Sequence, residues 1–180
     1  SQWQNFAKNR IKQVKNTTRY FLQWKNTPIR LWTYAFVYAT EILNRIASTN
    51  VAAHGQTPFE MIHGYTPDIS EYLDFGFYDW VLFRTNAGLG TAELGKWLGV
   101  SQRVGQMMSY WILPASGIPI SCVTVQRLTN LEKQTETYKR RMNDFQTNLE
   151  RRWNADSANL DVRVDGQGQN EINILDLEYE

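Results

Sequence analysis

The spacing of hydrophobic residues changes near residue 75. Before that point, apolar residues recur every three or four positions, which predicts helices over 2–25 and 28–47 and a short third helix after Thr57. We expect Thr27-Pro28 and the capping box Thr57-Pro58-Phe59-Glu60 to start the second and third helices, since threonine caps helices and proline fits a first turn. The second helix is apolar on most of its surface, so it needs cover on more than one side.

From residue 75 the period is 2, and short aromatic or β-branched runs alternate with turn residues. The runs are Phe77–Phe83, Leu94–Val100, Met107–Leu113 and Ile118–Leu128. Several short strands within so few residues predict a small β-barrel. Leu131–Trp153 has helical character, and the Gly/Asn/Asp/Gln-rich remainder is poorly suited to burial and predicts disorder. The predicted fold class is α+β, with boundaries at 1–66, 67–130 and 131–180.

Charge is segregated along the chain although the net charge is only +1. Residues 1–40 carry seven basic side chains and no acidic one, whereas residues 154–180 hold seven acids against Arg163. Four of the seven basic residues lie within about 60° of each other on the first predicted helix; they are Lys8, Lys12, Lys15 and Arg19. Such a face either is merely solvated or binds a polyanion, which would relieve its internal repulsion. DNA is the leading candidate partner.

Residues for catalysis or metal binding are scarce. His54 and His63 have no third ligand at useful spacing, so we interpret them as surface histidines. Asp68, Glu71, Asp74 and Asp79 form a loose acidic group, for which a solvated connector is favoured over a divalent-cation site. The single cysteine, Cys122, lies in an alternating apolar run and is interpreted as an inert buried thiol.

Six aromatic residues of the predicted barrel leave two interpretations open. They could fill the core, or they could line a groove that binds peptides. These residues are Phe77, Tyr78, Trp80, Trp97, Tyr110 and Trp111. The sequence shows neither a signal-peptide layout nor a long apolar run, so we expect no membrane contact. It begins within a helical pattern and without methionine, and we expect it to be a piece of a longer chain.

The order of these pieces resembles the C-terminal part of the integrase region in the Pol polyprotein of copia-type LTR retrotransposons. The resemblance covers roughly residues 1–130. It rests on Ser1-Gln2-Trp3-Gln4-Asn5, Arg30-Leu31-Trp32-Thr33-Tyr34-Ala35, Leu43-Asn44-Arg45, Thr57-Pro58-Phe59-Glu60, Gly64-Tyr65-Thr66-Pro67-Asp68-Ile69-Ser70, Phe75-Gly76, Lys96-Trp97-Leu98-Gly99-Val100, Tyr110-Trp111-Ile112-Leu113 and Val123-Thr124-Val125-Gln126-Arg127.

The resemblance implies that residues 1–66 are the last helices of an RNase H-like integrase core, followed by an SH3-like module and a variable spacer. In that family two Asp and one Glu hold two Mg²⁺ or Mn²⁺ ions for strand transfer. Here Lys8 stands at the Glu position, in Asn5-Phe6-Ala7-Lys8. A protonated lysine has no lone pair for a metal, so we expect no catalytic residue and no cofactor in this chain.

The resemblance also implies the biological setting. The expected partner is DNA, which would be bound without sequence preference through four basic residues: Lys8, Lys12, Lys15 and Arg19. Self-association of the integrase is also expected, and a small-molecule substrate is not. The expected location is the nucleus or a cytoplasmic element particle. The alternative function is an SH3-like protein-interaction module with no role in nucleic-acid binding. A third possibility is an inactive fragment, whose residues 1–70 would expose an apolar patch and self-associate without the missing core.

Overall fold

The first helix, α1, ends through backbone hydrogen bonds that also set where the second helix begins. The computed structural model describes residues 2–47, 55–85, 91–101 and 108–161. Within these residues, α1 spans Gln2–Trp24. Asn26 takes a left-handed conformation (φ 47°), and the backbone N–H of Thr27 donates to the carbonyl of Leu22 at 2.8 Å. Together with the Asn26 N–H donating to the Gln23 carbonyl at 3.1 Å, this is a Schellman motif.

The predicted N-terminal cap at Thr27-Pro28 is therefore wrong. Thr27 closes α1, its hydroxyl has no hydrogen-bond partner among the described residues, and Pro28 is extended (ψ 136°). A single 3₁₀ turn, Ile29–Leu31, follows, and helix α2 begins only at Trp32 and ends at Arg45.

The short helix α3, Pro58–His63, begins with the predicted capping box. The Thr57 hydroxyl accepts from the Glu60 N–H at 3.1 Å, while the Glu60 carboxylate accepts from the Thr57 N–H at 2.8 Å. Gly64 then takes the left-handed conformation (φ 76°) that ends the helix. One further helical turn, α4, Ser70–Leu73, follows before the sheet.

Five antiparallel strands follow in the described part of the chain, so the predicted α+β class is confirmed. They are β1 (Trp80–Arg84), β2 (Glu93–Val100), β3 (Tyr110–Pro114), β4 (Ile120–Cys122) and β5 (Thr124–Arg127). The sheet order is β4-β3-β2-β1-β5. Only Val123 separates β4 from β5, so one bent segment supplies both outer strands and curls the sheet toward closure.

Two helices follow the sheet, α5 (Asn130–Gln134) and α6 (Glu136–Asp161). The longer one, α6, packs on the sheet through Phe145 and Leu149, and Phe145 meets the Trp80 ring edge-on at 5.1 Å. None of the helices in the described part of the chain is long and apolar enough to span a membrane.

Helices and sheet share one hydrophobic core. Strand β2 is buried over six successive residues, because α2, α4 and α6 all contact it. Tyr38 of α2 stacks on Phe77 at 5.5 Å and meets Trp97 of β2 edge-on at 5.5 Å. The sheet thus covers one side of α2, whereas Phe36 and Val37 on the same helix remain 39% and 55% exposed. Helix α6 continues to Asp161, so the prediction of disorder after Trp153 is wrong for residues 154–161. The segments 86–90 and 102–106, His54 and the remainder of the predicted tail, 162–180, lie outside the described residues.

Candidate nucleic-acid interface

The predicted basic face lies on α1 beside the side that packs into the protein. Val14, Thr18 and Leu22, spaced four apart, are buried, and they are the buried residues among the α1 side chains that the structure describes. Lys8 and Lys12 are exposed, whereas Lys15 and Arg19 are half-buried at the margin of the packed side. At 1.5 Å per residue the four charges extend over about 16 Å, and α1 contains no carboxylate at all.

The remaining basic residues near α1 have structural roles. Arg10 donates to the Leu43 carbonyl of α2 at 2.8 Å and to the Gln13 side chain at 3.0 Å, so it ties the two helices together. The Lys25 ammonium pairs with Asp79 at 2.7 Å, which fixes the end of α1 to the entrance of the sheet. The predicted four-residue face does not include either one.

Two of the four carboxylates considered for a cation site, Asp68 and Asp79, are engaged by neighbouring residues. Asp68 accepts from the Ser70 N–H at 2.9 Å and from its hydroxyl at 2.6 Å, and these bonds lower the pKa of Asp68. Asp79 accepts from the Gly76 N–H at 3.0 Å as well as from Lys25. Among the described residues, no three His, Cys, Asp or Glu side chains lie close enough together to hold a metal ion.

His63 and Cys122 take ordinary structural positions. The His63 ring is exposed and packs against Phe59 at 4.3 Å. Cys122 is buried in β4, where its thiol donates to the Arg84 carbonyl at 3.1 Å. The interpretation of Cys122 as a buried thiol is confirmed.

Most of the aromatic residues of the sheet fill the core. Phe77, Tyr78, Trp97 and Tyr110 are all buried. Trp111 is half-buried and meets Tyr34 of α2 edge-on at 5.9 Å. The core interpretation is thus confirmed for four of the six aromatic residues, and a continuous aromatic groove is not formed by them.

A cleft lies where α2 meets β2 and β3, with a volume of about 460 Å³. Tyr34, Trp111 and Glu41 are among the residues that line it. Glu41 pairs with Arg45 and accepts a long hydrogen bond of 3.4 Å from the Tyr72 hydroxyl. Burial, reinforced by the Glu41 carboxylate, raises the pKa of Tyr72. The one carboxylate in the cleft is therefore already engaged by neighbours in the chain.

Strand β2 also contains a buried lysine, Lys96, which the sequence pattern did not indicate as a site residue. Lys96 is only 8% exposed and pairs across the strands with Trp80, whose ring centroid lies 3.6 Å from the ammonium. The ammonium also donates to the Tyr78 carbonyl at 3.2 Å. Burial lowers the pKa of Lys96 to about 7, although Asp79 opposes the shift.

Comparison of this chain with family models, curated proteins and solved structures gave no match. Assignment of function therefore depends on the geometry above and on the resemblance in the sequence. The feature with the clearest chemistry is the carboxylate-free α1, whose two exposed lysines and two half-buried basic residues follow one side of a rigid helix.

Proposed function

We propose that this chain is part of a copia-type integrase region and that it binds DNA through the basic face of α1 without catalysing strand transfer. The observation that carries the proposal is the placement of Lys8, Lys12, Lys15 and Arg19 along one side of a helix that has no carboxylate. Cations in this arrangement contact phosphates rather than base edges, so binding is independent of sequence.

Two further observations support the proposal. The packed side of α1, with Val14, Thr18 and Leu22, lies about a quarter-turn from the basic face, so Lys8 and Lys12 stay exposed while Lys15 and Arg19 are half-buried. The five-stranded sheet after the helices has the size and antiparallel pairing expected of an SH3-like module. The absence of catalysis rests on Lys8, which stands where the resemblance places a metal-binding Glu.

The test is a salt titration of duplex DNA binding by fluorescence anisotropy. Neutralising four phosphates gives a log–log slope of about −3 to −4. Replacing all four basic residues by Gln retains much of each aliphatic stem and is expected to bring the slope close to zero. Circular dichroism would verify that the variant keeps its helices.

A matched control removes the same charge from another surface. The four control residues are exposed and lie on β5 and α6, and each is replaced by Gln: Arg127, Lys139, Arg140 and Arg152. The control should keep the wild-type slope. If the two variants lose affinity equally, binding depends on net charge alone, and α1 is not the interface.

A further inference from the structure

Two large aromatic rings stand exposed on the last two turns of α1. Tyr20 is 56% exposed and Trp24 is 62% exposed. Their spacing of four residues places them on neighbouring turns, where their rings lie nearly parallel, at an interplanar angle of 17° and a centroid distance of 5.8 Å. Neither ring is buried in the core.

The cation next to the rings is Lys25, which is paired with the Asp79 carboxylate at 2.7 Å. The Lys25 ammonium lies 4.3 Å from the centre of the Trp24 ring. On a helical projection Tyr20 lies about 80° from Lys12 and about 100° from Arg19, so its ring borders the basic face. Trp24 lies a further 40° or so around the helix, about 120° from Lys12, and continues the ring pair away from that face. The last ring follows Arg19 by five residues, or about 8 Å along the axis.

We infer that Tyr20 and Trp24 form a stacking platform for the unpaired bases of single-stranded DNA, whose phosphates are held by the basic face of the same helix. Exposed aromatic rings beside a track of cations are the combination that binds single strands, because each base offers a π-face and each nucleotide a negative charge. Charge complementarity selects this occupant, since a helix with five basic residues and no acid favours a polyanion over an apolar protein surface.

This inference rests on the proposed function and adds a substrate preference to it. In a duplex the bases are already stacked on one another, so their faces cannot reach the rings. The rings should therefore contribute to binding of single strands and add little to duplex binding. Stacking on an aromatic ring is worth about 1–3 kcal/mol per base, which corresponds to a loss of about 5- to 150-fold for each ring removed.

The experiment compares a labelled oligothymidylate with a labelled duplex of equal length at one salt concentration. Tyr20→Leu with Trp24→Leu removes both rings from exposed positions. We expect affinity for the single strand to fall at least 20-fold while affinity for the duplex changes less than about 3-fold. Tyr20→Phe with Trp24→Phe keeps two rings and should restore most of the single-strand affinity.

Tyr65→Leu provides a matched control, since Tyr65 is 62% exposed, as Trp24 is, but lies beyond α3. It should leave both affinities unchanged. The inference is overturned if the Leu variant binds the single strand as tightly as wild type, or if single strand and duplex weaken equally. Failure of the proposed function itself would give a different result. In that case the salt dependence of duplex binding would persist in the variant whose four basic residues are replaced by Gln.

Discussion

Burial of Lys96 predicts that the protein becomes more stable as pH rises from 7 to 9. The folded chain holds this lysine with a pKa of about 7, because burial disfavours the charged form, whereas a free lysine has a pKa of 10.5. Between those values the unfolded chain binds a proton that the folded chain has released. The free energy of unfolding therefore increases with pH across this window, and the cost of burying the lysine is largest below pH 7.

The size of the effect follows from the same two values. Proton linkage gives a gain of about 2 kcal/mol between pH 7 and pH 9. The Trp80 ring, 3.6 Å from the ammonium, attracts the cation and reduces this gain toward about 1 kcal/mol. Burial raises the pKa of Tyr78 to about 12, so tyrosine ionisation lowers stability only as the pH passes about 10, outside the chosen window.

Urea unfolding followed by far-ultraviolet circular dichroism at the two pH values measures the gain directly. Lys96→Met keeps a long side chain but cannot titrate, so its stability should change with pH by about 1–2 kcal/mol less than that of the wild type. Lys139→Met, at an exposed position on α6, should retain the wild-type dependence. The same pH dependence in wild type and Lys96→Met would refute the argument.

Two other perturbations test the helix start and the charge distribution. Thr57→Ala should destabilise α3 by about 1 kcal/mol because it removes the hydroxyl that accepts from Glu60, whereas Thr57→Ser should keep most of that stability in thermal unfolding. Truncation after Asp161 changes the formal net charge from +1 to +5, since residues 162–180 hold five acids and one arginine. Duplex DNA affinity measured by anisotropy at low salt should rise several-fold on truncation and approach the full-length value at high salt; a decrease would contradict the electrostatic argument.

The two Thr-Pro pairs show what the sequence can and cannot predict about helix starts. Thr57 has Glu60 three residues later, so the reciprocal capping box forms as expected. Thr27 has Arg30 at that position, which cannot accept from the Thr27 N–H. That N–H instead donates to the Leu22 carbonyl, because Asn26 adopts a left-handed conformation and reverses the chain at the end of α1. The residues that end α1, rather than the first turn of α2, therefore determine where α2 begins.

The strands were predictable from their period, but the residues that pack around β2 were not. Alternation locates a strand, yet β2 is buried on both faces by α2, α4 and α6, so polar and apolar positions alike are covered. Lys96 becomes buried for this reason, opposite Trp80 in the register. Only the tertiary packing of distant helices reveals such a site. Tyr20 and Trp24 carried a local signal, the four-residue spacing of two rings beside basic residues.

The composition of α1 is not explained by the stability of the helix. Its first turn has no acidic residue and its last turn has no basic one, so the helix lacks the charges that favour its dipole. Lysines and arginine at spacings of three and four repel one another, whereas one Glu on the exposed side would give an attractive pair. Each of these choices costs a few tenths of a kcal/mol, and packing through Val14 and Leu22 does not require any of them. The nucleic-acid partner proposed above would offset these costs, so the composition of α1 is consistent with the proposed function.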